Sequence, residues 1–321
     1  MSPIVKPAQV LVVAGTHGNE RNAPWLLEHW RRRPEALQRQ GLDVELVLGN
    51  PAAYKANQRY LERDLNRCFA PELLADFSRN EVELQRARQL LSCHGADAAS
   101  PSLVVIDLHS TTSAMGNSLV LYGRRPADLA LAAGMQGVLG LPIYLHEADA
   151  SQTGFLVESW PCGLVIEVGP VPQGVIQAPI CRQSQFGVEA ALAVLAAAQR
   201  ARLRLPAELV VHRHLGSLDL PRHPDGSPAA CLHPELQHRD WRPLRPGDPV
   251  FIDPCGKAIG LVLPPNLAEE SVWPVFINEA AYGEKGIALS LTYRECWPVE
   301  PDWLLALSDI ASQLAQRGGP L

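Results

Sequence analysis

Val10-Leu11-Val12-Val13-Ala14-Gly15-Thr16-His17-Gly18-Asn19-Glu20 decides how this chain is read. Its first five residues are apolar and mostly β-branched, as in a strand buried on both faces. A glycine ends the run, and the loop that follows carries a histidine and a glutamate three residues apart. The arrangement returns at Leu103-Val104-Val105-Ile106-Asp107-Leu108-His109, where another apolar run delivers a histidine. Strands of this kind alternate here with helical segments, the pattern of a parallel sheet covered on both sides. Ligands of such sheets bind beyond the carboxyl ends of the strands. His17, Glu20 and His109 are therefore expected to meet at one edge.

Working outward, the strand at 8–14 leads to a helix near 23–40 with Pro24 in its first turn. A strand at 44–48 ends at Asn50-Pro51, and a helix at 80–93 shows alternating charge (Glu81, Glu83, Arg86, Arg88) before Gly95. Further strands fall at 103–108, 118–122, 142–145 and 163–166, with helices at 126–138 and 184–203. After Leu205 the texture changes. Prolines crowd in from Pro206 to Pro249, helical periodicity disappears, and Asp225-Gly226 marks a hairpin-type turn. The spacing predicts an α/β domain over 1–204 and a β-rich domain over 205–321, the latter closing with a short helix near 301–316.

Composition narrows the classes. A chain of 321 residues that is 47% hydrophobic and 19% charged can bury a full core. Its net charge of −6 argues against nucleic acid or an anionic membrane as partner, and Arg31-Arg32-Arg33 reads as a solvated helix end that Pro34 helps to stop. Seven cysteines without a C-x-x-C pair argue against a disulfide framework or a Cys₄ zinc site. Met1 to Lys6 runs almost directly into the first strand, which leaves no room for a signal peptide, and no apolar run is long enough to cross a bilayer. A soluble cytoplasmic protein is the expectation.

Two His and one carboxylate form a ligand set used by catalytic zinc, with a fourth position left for water. The plainer reading of His17-x-x-Glu20 is a loop histidine beside a glutamate at a helix N-terminus. The Gly-Thr-His-Gly context and the second strand-end histidine favour the metal. Asp107 shares a strand face with His109 and is placed to orient its imidazole. Ser110 to Ser113 supply hydroxyls to line a cleft. Glu167 ends an otherwise apolar strand, where a carboxylate is costly unless paired or functional. General base, buried salt bridge and fourth metal ligand all remain open for it. In Gln58 to Arg67, Asn66 and Arg67 suit a substrate carboxylate, Arg59 suits a polarised carbonyl, and Arg63 suits a structural ion pair.

These blocks, with Asn50-Pro51, Arg59-Tyr60, Asp64-Leu65-Asn66-Arg67, Glu167-Val168-Gly169-Pro170 and Asn278-Glu279-Ala280-Ala281-Tyr282, resemble the aspartoacylase/succinylglutamate desuccinylase group of carboxypeptidase-like zinc hydrolases. They run in order from about residue 10 to 286. The resemblance implies a zinc-carboxypeptidase-like mixed sheet with helices on both faces, and a smaller β-rich domain narrowing the entrance. It implies one zinc per subunit on His17, Glu20 and His109, with Glu167 as base. It also implies Arg59 on the carbonyl, Asn66 and Arg67 on the substrate carboxylate, and Tyr282 reaching over from the second domain. The implied partner is a small N-acyl amino acid, N-acetyl-L-aspartate first; homo-oligomers are left open. One departure bears on the side chain. Aspartate-specific members place an arginine where this chain has Phe155 or Leu156, and no Lys or Arg occurs from Pro126 to Cys181. Lys285 or a protonated His146 must then serve a second carboxylate, or else the substrate is an N-acyl aromatic amino acid, as in a sister branch. A catalytically silent carboxylate-binding protein is the alternative from another class.

Overall fold

The computed structural model describes residues 8–147, 152–263 and 271–316. β1 (Gln9–Ala14) lies between β2 (Val44–Leu48) and β3 (Ser102–Ser110), with all three parallel. β6 (Cys162–Gly169) continues parallel beyond β3, and β4 (Gly116–Tyr122) pairs antiparallel with β6. β5 (Ile143–His146) and β7 (Glu208–Leu218) run parallel to β4. The antiparallel strands β12 (Leu289–Pro298) and β11 (Trp273–Val275) complete a nine-stranded mixed sheet. β8 (Cys231–Leu232), β9 (Pro249–Ile252) and β10 (Ala258–Gly260) form a separate small sheet.

The apolar runs are continuous because both sheet faces are covered. Val10, Val12, Val104, Ile106, Leu164 and Ile166 point to one side. There they pack against α1 (Asn22–Arg32), α5 (Pro126–Leu139), α6 (Ala178–Gln199) and α7 (Pro301–Ser312). Leu11, Val13, Val105 and Val165 point to the other, against α4 (Val82–His94), Trp160 and Phe276. Trp30 of α1 is fully enclosed, so trimming it to Ala would cost about 3–5 kcal/mol.

Several expected boundaries move, each for a local reason. α1 stops at Arg32 because Pro34 opens a 3-10 turn instead of continuing the helix. α6 begins earlier than expected, at Ala178, with Pro179 in its first turn, where a missing N–H costs nothing. The charged face of α4 is not a solvated one. Glu83 is fully buried, and Arg86 and Arg88 donate to the main-chain carbonyls of Leu48, Gly49, Leu73, Leu74, Asp76 and Arg79. The chain after Leu205 is β-rich as expected, yet β7, β11 and β12 extend the main sheet and α7 returns to pack on α5 and α6. Among the described residues no helix is long and apolar enough to cross a membrane.

Candidate metal centre and active-site cavity

The loop after β1 turns on two glycines. Gly15 has φ +69°, and a Cβ on Gly18 would sit 2.1 Å from the Ala53 carbonyl carbon of α2 (Pro51–Ala56), so neither position accepts a side chain. The loop thereby folds His17 and Glu20 back over the sheet edge. His17 Nδ1 lies 2.6 Å from Glu20 Oε1, and His109 Nδ1 lies 3.1 Å from Glu20 Oε2. One donor atom from each residue falls within 4.8 Å of the others, and all three side chains are buried.

Each imidazole is committed on its far side. His17 Nε2 is 2.9 Å from Asp64 Oδ1, and His109 Nε2 is 2.8 Å from Asp107 Oδ2. With Nε2–H given to an outer carboxylate, loss of any proton on Nδ1 leaves two lone pairs and a carboxylate facing one point. That donor set calls for a cation between them, and it fits zinc with its imidazoles oriented by outer carboxylates. Burial raises the Glu20 pKa, but His109 and His17 outweigh it and hold Glu20 well below the ordinary carboxylate value. Burial lowers that of His109, while Asp107 and Glu20 hold it well above the usual histidine value. Thr16 Oγ1 donates to Asp107 at 2.7 Å and fixes the outer carboxylate in turn.

Glu167 is the register partner of His109 across β3 and β6, as two adjacent parallel strands ending at one level require. Burial pushes its carboxyl well above the usual range; His109 opposes this, and Glu20 and Glu279 add to it.

The segment 58–67 wraps around one carboxylate. Glu83 accepts from the main-chain N–H groups of Leu61, Glu62 and Arg63, and from Asn50 Nδ2. Arg59 Nη2 then lies 3.1 Å from Asp64 Oδ2, the aspartate that also holds His17. Asn66 spends its carbonyl oxygen on the Leu156 N–H, which leaves its NH₂ as the half for a ligand. Arg67 donates to Gln152 at 2.9 Å and lies 4.2 Å over the Phe155 ring. Arg63 pairs with Glu81 at 3.6 Å, the structural role expected of it.

Tyr282 sits in a 3-10 turn, Ala280–Lys285, that Glu279 ties to the end of β3. Glu279 Oε2 accepts from the Thr111 hydroxyl, from Thr112 N at 2.7 Å, from Thr112 Oγ1 at 2.9 Å and from Ser113 N at 3.3 Å. The hydroxyls after His109 thus serve mainly to anchor this turn; Ser110 and Thr111 also reach the cavity wall. His17, Glu20, Arg59, Asn66, Arg67, His109, Glu167 and Tyr282 all line one cavity. Part of its wall is aromatic: Phe155 stacks on Tyr122 at 3.6 Å, and Tyr144, His146 and Phe276 line the same cavity. Lys285 stands at the edge of this site, 3.9 Å from Asp64 Oδ2.

Asp64, Glu83 and Glu279 were not marked as site residues from sequence. Asp64 lay inside a quoted motif but read as an ion-pair neighbour. Glu279 lies within Asn278-Glu279-Ala280-Ala281-Tyr282, and Glu83 is one of the alternating charges of the helix at 80–93. The contacts that tie them to the site are not local: Asp64 meets His17 47 residues away, Glu83 holds the N–H of Arg63 20 residues away, and Glu279 meets Thr111 168 residues away.

Two family models match the chain. Residues 6–195 match the succinylglutamate desuccinylase/aspartoacylase catalytic domain, and residues 207–294 match the AstE/AspA barrel-sandwich hybrid domain. A probable aspartoacylase from Parasynechococcus marenigrum is 58% identical, covering 94% of this chain and 98% of the relative. The crystal structure of murine aminoacylase 3 superposes with a TM-score of 0.81 at 34% identity, covering 92% of this chain and 97% of the other. Succinylglutamate desuccinylase from Vibrio parahaemolyticus shares the fold, with a TM-score of 0.58 at 18% identity. The chain therefore belongs to the succinylglutamate desuccinylase/aspartoacylase family of hydrolytic enzymes.

Proposed function

We propose that this chain is a zinc-dependent amidohydrolase that cleaves an N-acyl amino acid to a carboxylate and the free amino acid, with N-acetyl-L-aspartate as the first substrate. The observation that carries the reading is the convergence of two imidazole lone pairs and Glu20 in a cavity that also holds Glu167 and Arg59. Zinc in such a site supplies a Lewis acid and makes water nucleophilic at neutral pH. In this reading His17, Glu20 and His109 are the ligands. Glu167 takes a proton from the attacking water and returns it to the amide nitrogen as the C–N bond breaks. Its raised proton affinity suits the return step. Arg59, held by Asp64, faces the carbonyl oxygen as negative charge builds there. Asn66 and Arg67 bind the α-carboxylate, and Tyr282 closes over the amide from its turn. We place the domain boundary between residues 204 and 205, in the stretch between α6 and β7.

Aspartate is supported by the likeness to the 58%-identical probable aspartoacylase. One observation favours a second reading, N-acyl aromatic amino acids: the Tyr122–Phe155 stack and its aromatic neighbours form much of the wall. The test combines metal removal with a substrate panel. Chelation is expected to abolish acetate release from N-acetyl-L-aspartate and added zinc to restore it. His17→Ala, Glu20→Ala and His109→Ala should each purify without stoichiometric zinc by mass spectrometry. Full turnover by metal-free protein would refute the mechanism, and an aromatic preference of about tenfold or more in kcat/KM would replace aspartate.

A further inference from the structure

Three side-chain cations gather where the 58–67 segment meets the Ala280–Lys285 turn. Two of them have a place in the reading above, Arg59 toward the carbonyl and Arg67 toward the α-carboxylate. The third, Lys285, does not. Its Nζ is buried and makes no hydrogen bond among the described residues. The nearest anion is Asp64 Oδ2 at 3.9 Å, an oxygen already bonded to Arg59 at 3.1 Å. Its other neighbour is the Tyr282 ring, 5.5 Å from Nζ. A buried ammonium with unused donors is costly, and the fold keeps it there against repulsion from two arginines. Burial, then Arg67 and Arg59, push its pKa down to about 8, while Asp64 and Glu284 act the other way.

The turn holds Lys285 in that position from several sides. Glu279 fastens its start to β3, Tyr60 Oη donates to Glu284 Oε2 at 3.0 Å, and Gly286 ends it at φ +64°. Arg67, which repels Lys285, and Tyr282, whose ring lies 5.5 Å from Lys285 Nζ, both lie on the cavity wall. The flexible lysine stem needs only side-chain rotation to exchange its long contact with Asp64 for a ligand oxygen.

We propose that Lys285 is the specificity residue that binds a second carboxylate on the substrate, so that the released amino acid is acidic. The proposal rests on the N-acyl amino acid hydrolase reading and adds the group that chooses among such substrates. It also answers what replaces the arginine expected near Phe155: a cation from the C-terminal turn, on a different part of the chain. A carboxylate entering between Arg67 and Lys285 satisfies Nζ and screens the two cations from each other.

The experiment compares N-acetyl-L-aspartate with its neutral isostere N-acetyl-L-asparagine on zinc-loaded wild type, Lys285→Met and Lys285→Arg. The ratio of kcat/KM, aspartate over asparagine, should fall about tenfold or more in Lys285→Met, through KM, and be largely regained in Lys285→Arg. An unchanged ratio in Lys285→Met overturns the proposal. Calorimetric binding of L-aspartate and L-asparagine to the same proteins gives a readout independent of turnover. Selective loss of aspartate binding in Lys285→Met supports the assignment, and equal binding to wild type and variant overturns it. If wild type hydrolyses neither amide, the hydrolase reading fails by itself and the calorimetry still decides the role of Lys285. Should Lys285→Met not fold, Lys285→Gln takes its place in both measurements.

Discussion

Glu83→Gln isolates the carboxylate that shapes the substrate segment without touching a cavity residue. Glu83 is fully buried, with its Oε1 accepting from Leu61 N at 2.7 Å and Asn50 Nδ2 at 3.1 Å. Oε2 accepts from Glu62 N at 3.1 Å and Arg63 N at 3.2 Å. A glutamine keeps the shape but turns one oxygen into a donor, so two of these four bonds are lost together with the charge. Hydrogen bonds to a charged group contribute about 1.5–3 kcal/mol each, which puts the gross loss at about 3–6 kcal/mol. The amide is placed at least cost toward Glu62 and Arg63, which are exposed and half-buried, so their freed N–H groups reach water and the net loss falls near the low end, about 3 kcal/mol. Arg59, Asn66 and Arg67 all ride on this segment. Loosening it by that amount should lower kcat/KM for the amide substrate by about tenfold to a hundredfold. Zinc content should stay near wild type, because His17, Glu20 and His109 come from β1 and β3. Steady-state kinetics, zinc by mass spectrometry and urea unfolding are measured on the same preparation. Lower stability with unchanged kcat/KM would refute the argument, since Glu83 would then hold α4 and not the substrate segment.

Two further outcomes follow from buried carboxyl groups. Glu167→Gln should keep stoichiometric zinc yet lose turnover by about three orders of magnitude or more, since proton removal and return both use this group; near-normal turnover would reassign Glu167 to structure. Burial pushes the Asp240 carboxyl, which accepts from Ile277 N at 3.1 Å, up to about 6. An acid whose pKa is raised by folding contributes stability below its unfolded value near 4 and loses it as pH rises through about 6. Asp240→Asn keeps the acceptor and removes the ionisation. It should be more stable than wild type by about 3 kcal/mol above pH 7 and near equal to it around pH 4. A stability difference that does not vary across that pH range would sink the assignment.

The strand-end part of the site was legible in the sequence because its signals are local. A buried strand must be apolar, so a His or Glu directly after one stands out, and adjacent strands bring such ends to one level. His17, His109 and Glu167 followed from that alone, and the resemblance added Tyr282. Helix limits were less legible where proline decides them: Pro34 shortened α1 and Pro179 lengthened α6 toward its start. The charged turns of α4 mark the helix but not what it meets, because alternating charge is the same string whether it faces water or a loop. Glu83 and Arg86 differ from a solvated pair only in what the 48–63 segment brings to them.

A division of labour among the carboxylates explains why the rest was hidden. Glu20 faces the point where a cation belongs, and its role is readable from neighbours in sequence. Asp64, Glu83 and Glu279 instead act on a loop and a turn by gathering N–H, hydroxyl and guanidinium donors around a buried charge. Each such charge is tolerated only while its donors are in place, so segment and carboxylate order one another. Asp64 joins His17 to Arg59, so the proposed metal ligand and the arginine proposed for the carbonyl share one reference point. Glu279 joins Thr112, three residues beyond His109, to the turn carrying Tyr282 and Lys285. Groups proposed to face the substrate, from the 58–67 segment and the 280–285 turn, are thereby positioned against the same two strand ends. A substitution at any of these carboxylates should therefore disturb substrate handling before it disturbs the sheet.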